Sequence, residues 1–283
     1  MLTIPLDSRV TRDSVIDAVR ELGVDALIFL RSIRKLHFHD LDDPARGQVF
    51  EVDVILSGQD AINFEDEEVA VEIADVRIVE PAASGSANWY RRYSTRRSVS
   101  NGMKRANKAT GSTTPIAIAV PMNTAHSIRI SDRMPLPVET GLTIGLDAQF
   151  DPDSARSTLL PNEWNEARFA DLGQLVAWSA LRAFGSETPT AWNHVPLNAE
   201  VDQTTDWAAT KVRTLVIEVC HDTLRDQLEV KTATGVAALS DLTYEAEELE
   251  DLLTEDDVNL LRPDSVALPR RSRDPSGRWR RVL

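Results

Sequence analysis

Only one cysteine, Cys220, occurs in the 283 residues, so no intramolecular disulfide can form and a reducing compartment suits the chain. No run of eighteen apolar residues exists, and the N-terminus lacks a basic region followed by an apolar stretch. Neither a membrane span nor a secretory leader is therefore indicated, and cytoplasm is the expected location. Aromatics are few, yet a hydrophobic content of 42% is enough for a sizeable core in one large domain or two. Positive charge is also short: the formal balance of −14 opposes bulk attraction to nucleic acid, which needs clustered cations. Acidic residues are themselves missing from one interval, Glu80 to Asp132. That interval holds Arg91, Arg92, Arg96, Arg97, Lys104, Arg105, Lys108 and Arg129.

What is present divides by period. In residues 11–22, Val15, Ile16, Val19 and Leu22 recur at helical spacing, and Gly23 supplies a stop. Residues 33–38, 48–56 and 69–79 alternate as strands do, with Gly47 and Gly58 bounding the second, and point to an antiparallel sheet. Residues 82–114 are rich in Ser, Gly, Asn and cations and read as a loop or short mobile helix, partly disordered. Strands at 115–120 and 142–150 return to the sheet, and a helix at 163–184 packs across it, an α+β pattern. Pro189 and Pro196 mark a linker at 185–205, followed by a helix near 206–226. Residues 244–262 place five leucines among eight acidic residues, as an amphipathic surface helix or a partner-binding one, before a basic tail.

The densest information lies in Gly141 to Asn165. Leu142, Ile144, Leu146 and Ala148 alternate with small or polar residues, the pattern of a half-buried strand. Asp151, Pro152, Asp153 and Ser154 break it with turn chemistry, Arg156 stands at the exit, and a helix opens near Asn162 and Glu163. A guanidinium held on such a base matches phosphate oxygens with its fork of donors. As plain structure, Arg156 is a surface arginine paired with Asp151 or Asp153.

Leu146, Ala148, Gln149, Phe150, Asp153, Arg156, Trp164 and Asn165 together resemble the middle-domain segment of GHKL-type ATPases, in particular the sacsin-like relatives of heat-shock protein 90. Residues 26–36 look like that family's entry into its first middle-domain strand, Pro115–Pro121 like its central strand, and Leu2–Leu6 like the last strand of the preceding ATPase domain. The resemblance covers roughly residues 1–184. It implies a ribosomal-protein-like two-layer sheet-and-helix middle domain, followed by a mainly helical C-terminal region. It also implies that 1–24 is the end of a GHKL nucleotide domain and 25–184 the middle or transducer domain; the residues beyond read as a linker at 185–205, a helical region at 206–262 and a basic tail at 263–283. In the family the corresponding arginine reaches the γ-phosphate of ATP, a role that falls here on Arg156 alone; Asp151 and Asp153, from their place in the turn, are the expected orienting carboxylates.

The family's nucleotide pocket needs a helix bearing Glu and Asn for Mg²⁺, an Asp-x-Gly-x-Gly turn and a glycine-rich lid, and none of these is in the sequence. Gly141 to Gly145 is a G-x-x-x-G inside a strand, with no Lys-Ser/Thr after it, so it is no phosphate cradle. The expected arrangement is therefore a chain with no cofactor of its own. ATP and Mg²⁺ would sit in a GHKL nucleotide domain of the same protein or a separate chain, the present start reflecting truncation or a split gene. A protein client is the further partner such chaperones imply.

Other clusters offer less specific chemistry. Trp89, Tyr90 and Tyr93 interleave with Arg91, Arg92, Arg96, Arg97, Lys104 and Arg105, which suits base stacking with phosphate contacts, a phosphate bound elsewhere, or a solvated loop balancing the acidic remainder. A nucleic-acid-binding adaptor is thus the alternative function, and an inert interaction scaffold a third. His37 and His39, with Asp40 or Asp42, have the spacing of partial metal ligation or of ordinary edge-strand histidines. Cys220 and His221 are adjacent on an expected helix, where they diverge by about 100° and make a poor nucleophile–base pair. Asp151 and Asp153 as an acid–base pair compete with capping or bracing roles in the turn.

Overall fold

Alternating side chains carry most of the first 150 residues into one sheet. The computed structural model describes Thr11 and residues 26–30, 32–38, 48–64, 67–79, 87–100, 102–106, 110–123, 126–186, 190–201, 206–232, 235–238, 242–243 and 266–267. The strand expected at 2–6, the helix at 11–22 (Thr11 apart), the acidic stretch 244–262, most of the tail, His39, Asp40, Asp42 and Lys108 lie outside those residues.

A short helix α1 at 26–29 precedes β1 (Lys35–Phe38), β2 (Gln48–Phe64), β3 (Glu67–Val79), β4 (Ala87–Ser98) and β5 (Thr113–Pro121). Two-residue strands β6 (Ser131–Asp132) and β7 (Met134–Pro135) follow, then β8 (Gly145–Ala148). The sheet order is β1-β2-β3-β4-β5-β8-β6-β7. Six strands, β1 to β5 and β8, pair antiparallel, while β6 meets β8 in parallel at Ser131 and Asp147. With helices packed on this antiparallel sheet, the chain is α+β.

Each face of the sheet carries its own core. On one side α1 covers Phe50, Val52, Val76, Ile78, Tyr90, Ala117 and Ala119. On the other, helix α2 (Glu163–Gly185) lies over Ile62, Val71, Ile73, Tyr93, Ile116, Ile118 and Leu146. β2 serves both cores because its register shifts between Leu56 and Gly58. A bulge inserts one residue and so moves the next set of side chains to the opposite face. Gly58 is therefore not the end of the strand, which continues to Phe64.

Residues 87–98 depart most from expectation, forming a strand between β3 and β5 instead of a mobile loop. Arginines and serines gave the segment the composition of a solvated loop. Partners on neighbouring strands and on α2 take up Arg91, Thr95 and Arg97, so these polar side chains are met inside the fold.

Within the expected linker, residues 190–201 carry local structure. Two 3₁₀ turns (Ala191–His194 and Asn198–Glu200) bring Ala191, Val195, Leu197 and Val201 to buried positions. Helix α3 (Trp207–Lys211), a π-helical stretch (Val212–Ile217) and helix α4 (Glu218–Gln227) then pack on α2 within the same core as Ile118. A Cβ at Gly173 would overlap the Leu215 carbonyl oxygen, so α2 and the π stretch meet backbone to backbone. Beyond α4 the chain is not helical at first: β9 (Glu229–Thr232) and β10 (Gly235–Ala238) form a hairpin. Two-residue strands β11 (Leu242–Thr243) and β12 (Val266–Ala267) pair in parallel.

Candidate functional site

The loop between β8 and α2 is built from its base upward. Leu142, Ile144, Leu146, Ala148 and Phe150 are all buried, as their alternation predicts, which fixes the strand that feeds the loop. Asn162 caps α2, its side chain accepting from the Asn165 N–H. That bond satisfies one of the orphan donors at a helix start. The Trp-Asn dipeptide in the first turn then staples strand to helix. Trp164 Nε1 donates to the Gln149 carbonyl at 2.6 Å, and the Asp151 N–H donates to Asn165 Oδ1 at 2.7 Å. Asn165 Nδ2 donates to the carbonyls of Asp151 and Leu160, both at 2.8 Å.

Asp151 is the buried keystone of this base. Its carboxylate accepts from Arg105 Nε at 2.9 Å and from the Ala106 N–H at 2.7 Å, while Arg105 also donates to the Phe150 carbonyl. Asp151 therefore braces the loop through Arg105 and not through Arg156. Asp153 stays within its own turn, accepting from the N–H and hydroxyl of Ser157, both at 2.7 Å, and from the Thr158 N–H. The Ser157 hydroxyl bond is the leading reason that the Asp153 carboxyl lies below its usual range. Of the two expected orienting carboxylates, neither pairs with the Arg156 side chain.

Arg156 sits at the tip of this braced loop with φ of 56°, in the left-handed region that side chains other than glycine enter at a cost. Its side chain keeps 45% exposure. The guanidinium leans on Asp132, a residue absent from the sequence expectations, with Nη1 at 3.3 Å from Oδ2 and Nη2 at 3.4 Å from the carbonyl oxygen. Arg133 follows at the β6–β7 turn with φ of 63°, the only other positive-φ residue among the described residues that is not glycine. No pattern in the residues around Arg133 signals that conformation, so sequence reasoning had no handle on it.

The six basic residues expected as a phosphate or nucleic-acid contact are not gathered on one surface. On the α2 side of β4, Arg91 forms a double bond pair with Asp75, at 2.8 and 3.2 Å. Further along that side, Arg97 donates to Glu67 at 2.8 Å and to Asp171 at 3.0 Å, with its guanidinium 4.1 Å from the Phe64 ring centroid. On the opposite side Arg92 is buried and donates to the Ile28 carbonyl at 3.0 Å, while Arg96 is exposed and donates to Thr113. Arg105 is buried under the Arg156 loop, and Lys104 is exposed.

Arg97 belongs to a buried network. Asp171 also pairs with Arg168 at 2.8 Å, and Arg168 lies 4.8 Å over the Trp164 ring. Burial raises the Asp171 carboxyl, with Arg168 and Arg97 opposing, and burial lowers Arg168. A pair so placed specifies α2 against the sheet more than it adds net stability.

Remaining candidates are structural in this geometry. Cys220 is buried, and burial pushes its thiol further from ionisation, the reverse of an activated nucleophile. His221 Nε2 sits 2.7 Å from the Pro196 carbonyl and does not serve Cys220. Ser179 Oγ and His194 Nδ1 approach to 3.2 Å, but both are fully buried, with Ser179 donating to the Val176 carbonyl. Burial, with the Arg91 charge adding to it, takes His194 down to about 3. His37 is exposed on β1, and no group of three or more metal-ligating side chains occurs among the described residues. No helix among them is long and apolar enough to cross a membrane.

With that geometry in hand, comparison with known proteins identifies no relative: no family model, curated protein or solved structure matches the chain.

Proposed function

We propose that this chain is the middle, or transducer, portion of a sacsin-like GHKL ATPase, acting in the cytoplasm with the ribosomal-protein-like fold of such domains. In this role Arg156 extends to the γ-phosphate of ATP held with Mg²⁺ by a GHKL nucleotide domain, on the same protein or a separate chain. The chain couples the nucleotide state to rearrangement of a protein client and carries out no chemistry alone.

One observation carries the proposal. Arg156 is presented at a left-handed backbone position, half-exposed, on a loop whose base is fixed by Asp151, Arg105, Trp164 and Asn165. Strained positions of this kind persist only where the surroundings over-determine them, and they cluster at functional sites. A donor fork fixed in advance stabilises developing phosphoryl charge without reorganisation at the moment of reaction. The nucleic-acid alternative draws less from the geometry, because Arg91, Arg92, Arg97 and Arg105 already hold internal partners.

Steady-state ATP hydrolysis by a GHKL nucleotide domain assembled with this chain tests the proposal. Arg156→Ala lowers kcat by about 100-fold or more with little change in KM, as for loss of a contact made in the transition state. The chain alone turns over no ATP and, in calorimetry, binds Mg-ATP no better than inorganic tripolyphosphate. Unchanged kcat in the variant, or a nucleotide site in the isolated chain, would contradict it.

A further inference from the structure

The β6–β7 turn and the β8–α2 loop meet at Asp132. Arg156 reaches Asp132 with both terminal nitrogens, and Arg133 is the next residue along. Consecutive Cα atoms are about 3.8 Å apart, so the Arg133 side chain starts within one residue of the spot that the Arg156 guanidinium touches. Both residues occupy the left-handed region, with φ of 63° and 56°, and both are exposed. Each position costs on the order of 1 kcal/mol relative to a glycine.

The nearby carboxylates are already engaged. Asp147 Oδ1 accepts from the Arg133 N–H at 2.9 Å, which pins the turn, and Asp153 accepts from Ser157 and Thr158. Asp132 is buried and holds Arg156, whereas the Arg133 guanidinium has no ion-pair partner among the described residues. Both cations are therefore exposed, and Asp132 accepts from one and precedes the other in the chain.

We infer that Arg133 and Arg156 form a two-arginine clamp for a terminal phosphate, with Asp132 as the resting counter-ion that the phosphate displaces. The inference rests on the reading of Arg156 given above and adds a second ligand and a resting state to it. Two guanidinium groups match the several oxygens of one phosphoryl group, and Asp132 keeps Arg156 extended and ordered until that group arrives.

Calorimetric titration of inorganic tripolyphosphate into the full chain at low salt reads the clamp directly. Arg133→Gln and Arg156→Gln each weaken binding by about tenfold, the size of one charge-assisted hydrogen bond. Asp132→Asn tightens it by removing the competing carboxylate. Arg77→Gln, at an exposed arginine of β3 paired with Asp53, leaves it unchanged. Thermal unfolding of each variant confirms that the fold persists, and exposure of Arg133 makes that variant the safest one. Loss of binding in Arg156→Gln with none in Arg133→Gln would overturn the clamp and leave the role of Arg156 standing. Loss in neither variant would overturn both, and equal loss in Arg77→Gln or no binding by the unaltered chain would overturn the clamp.

Discussion

Arginine is put to two opposite uses in this molecule. Arg92, Arg97 and Arg105 are drawn into the protein and spend their donors on carbonyls and carboxylates of the fold. Arg133 and Arg156 stand on strained turns with their side chains exposed. Density of cations along the sequence pointed to the first group, and backbone conformation points to the second. A run of basic residues is therefore a poor guide to an anion site until the partners of each are known. Positions held at positive φ, which cluster at functional sites, single out a different pair.

Substitutions on the two sides of this contrast should separate by magnitude. Removing Arg105 leaves the Asp151 carboxylate buried without its cation, which costs about 3–5 kcal/mol, so Arg105→Ala should lower the denaturant midpoint steeply. A midpoint left unchanged by Arg105→Ala would break the assignment of Arg105 to structure.

Next in size is an acid sensitivity that reaches the buried set through His194. Its folded value, down to about 3, lies below the ordinary 6.5, so the unfolded chain binds the extra proton between those limits. Stability then rises with pH across that window and falls as pH drops, by about 1.4 kcal/mol per pH unit for one proton. Denaturant midpoints measured from pH 4 to 6.5 should flatten by one proton in His194→Gln. Because Arg91 contributes to the depression, Arg91→Gln should shallow the slope in part. An unchanged slope in His194→Gln would remove His194 from the account.

The smallest effect is expected at the exposed pair. Glycine at Arg133 or Arg156 relieves the left-handed strain but adds freedom to the unfolded chain, and these terms are each about 1 kcal/mol or less. Arg133→Gly should therefore shift stability by less than about 1 kcal/mol, whereas Arg156→Gly also takes a cation from the buried Asp132 and should cost more; both should weaken phosphate binding. A large loss of stability in Arg133→Gly would place it with the structural set.

Legibility followed the same division. The alternation of Leu142, Ile144, Leu146 and Ala148, the cap at Asn162 and the long helix after it are local signals, and each appears in the structure. Strands at 48–56 and 69–79 were also legible, but not the bulge that carries β2 past Gly58 to Phe64. What escaped was non-local. β4 became readable only once Asp75, Glu67 and Asp171 were seen to meet its arginines from other elements. Residues 191–201 join the core through a few apolar side chains too sparse to make a period. At the site, the loop and Arg156 were visible from the motif, whereas Asp132 and Arg133 sit more than twenty residues upstream and are joined to it by folding alone.

The most direct test of which arginines serve an anion is a spectrum that resolves them. In chain carrying ¹⁵N-labelled arginine, the Nε–Hε resonances can be followed as tripolyphosphate is added. The account predicts saturable shifts confined to Arg133 and Arg156, with Arg92, Arg97 and Arg105 unmoved. Shifts in the buried set, or a uniform drift across all exposed arginines, would contradict it.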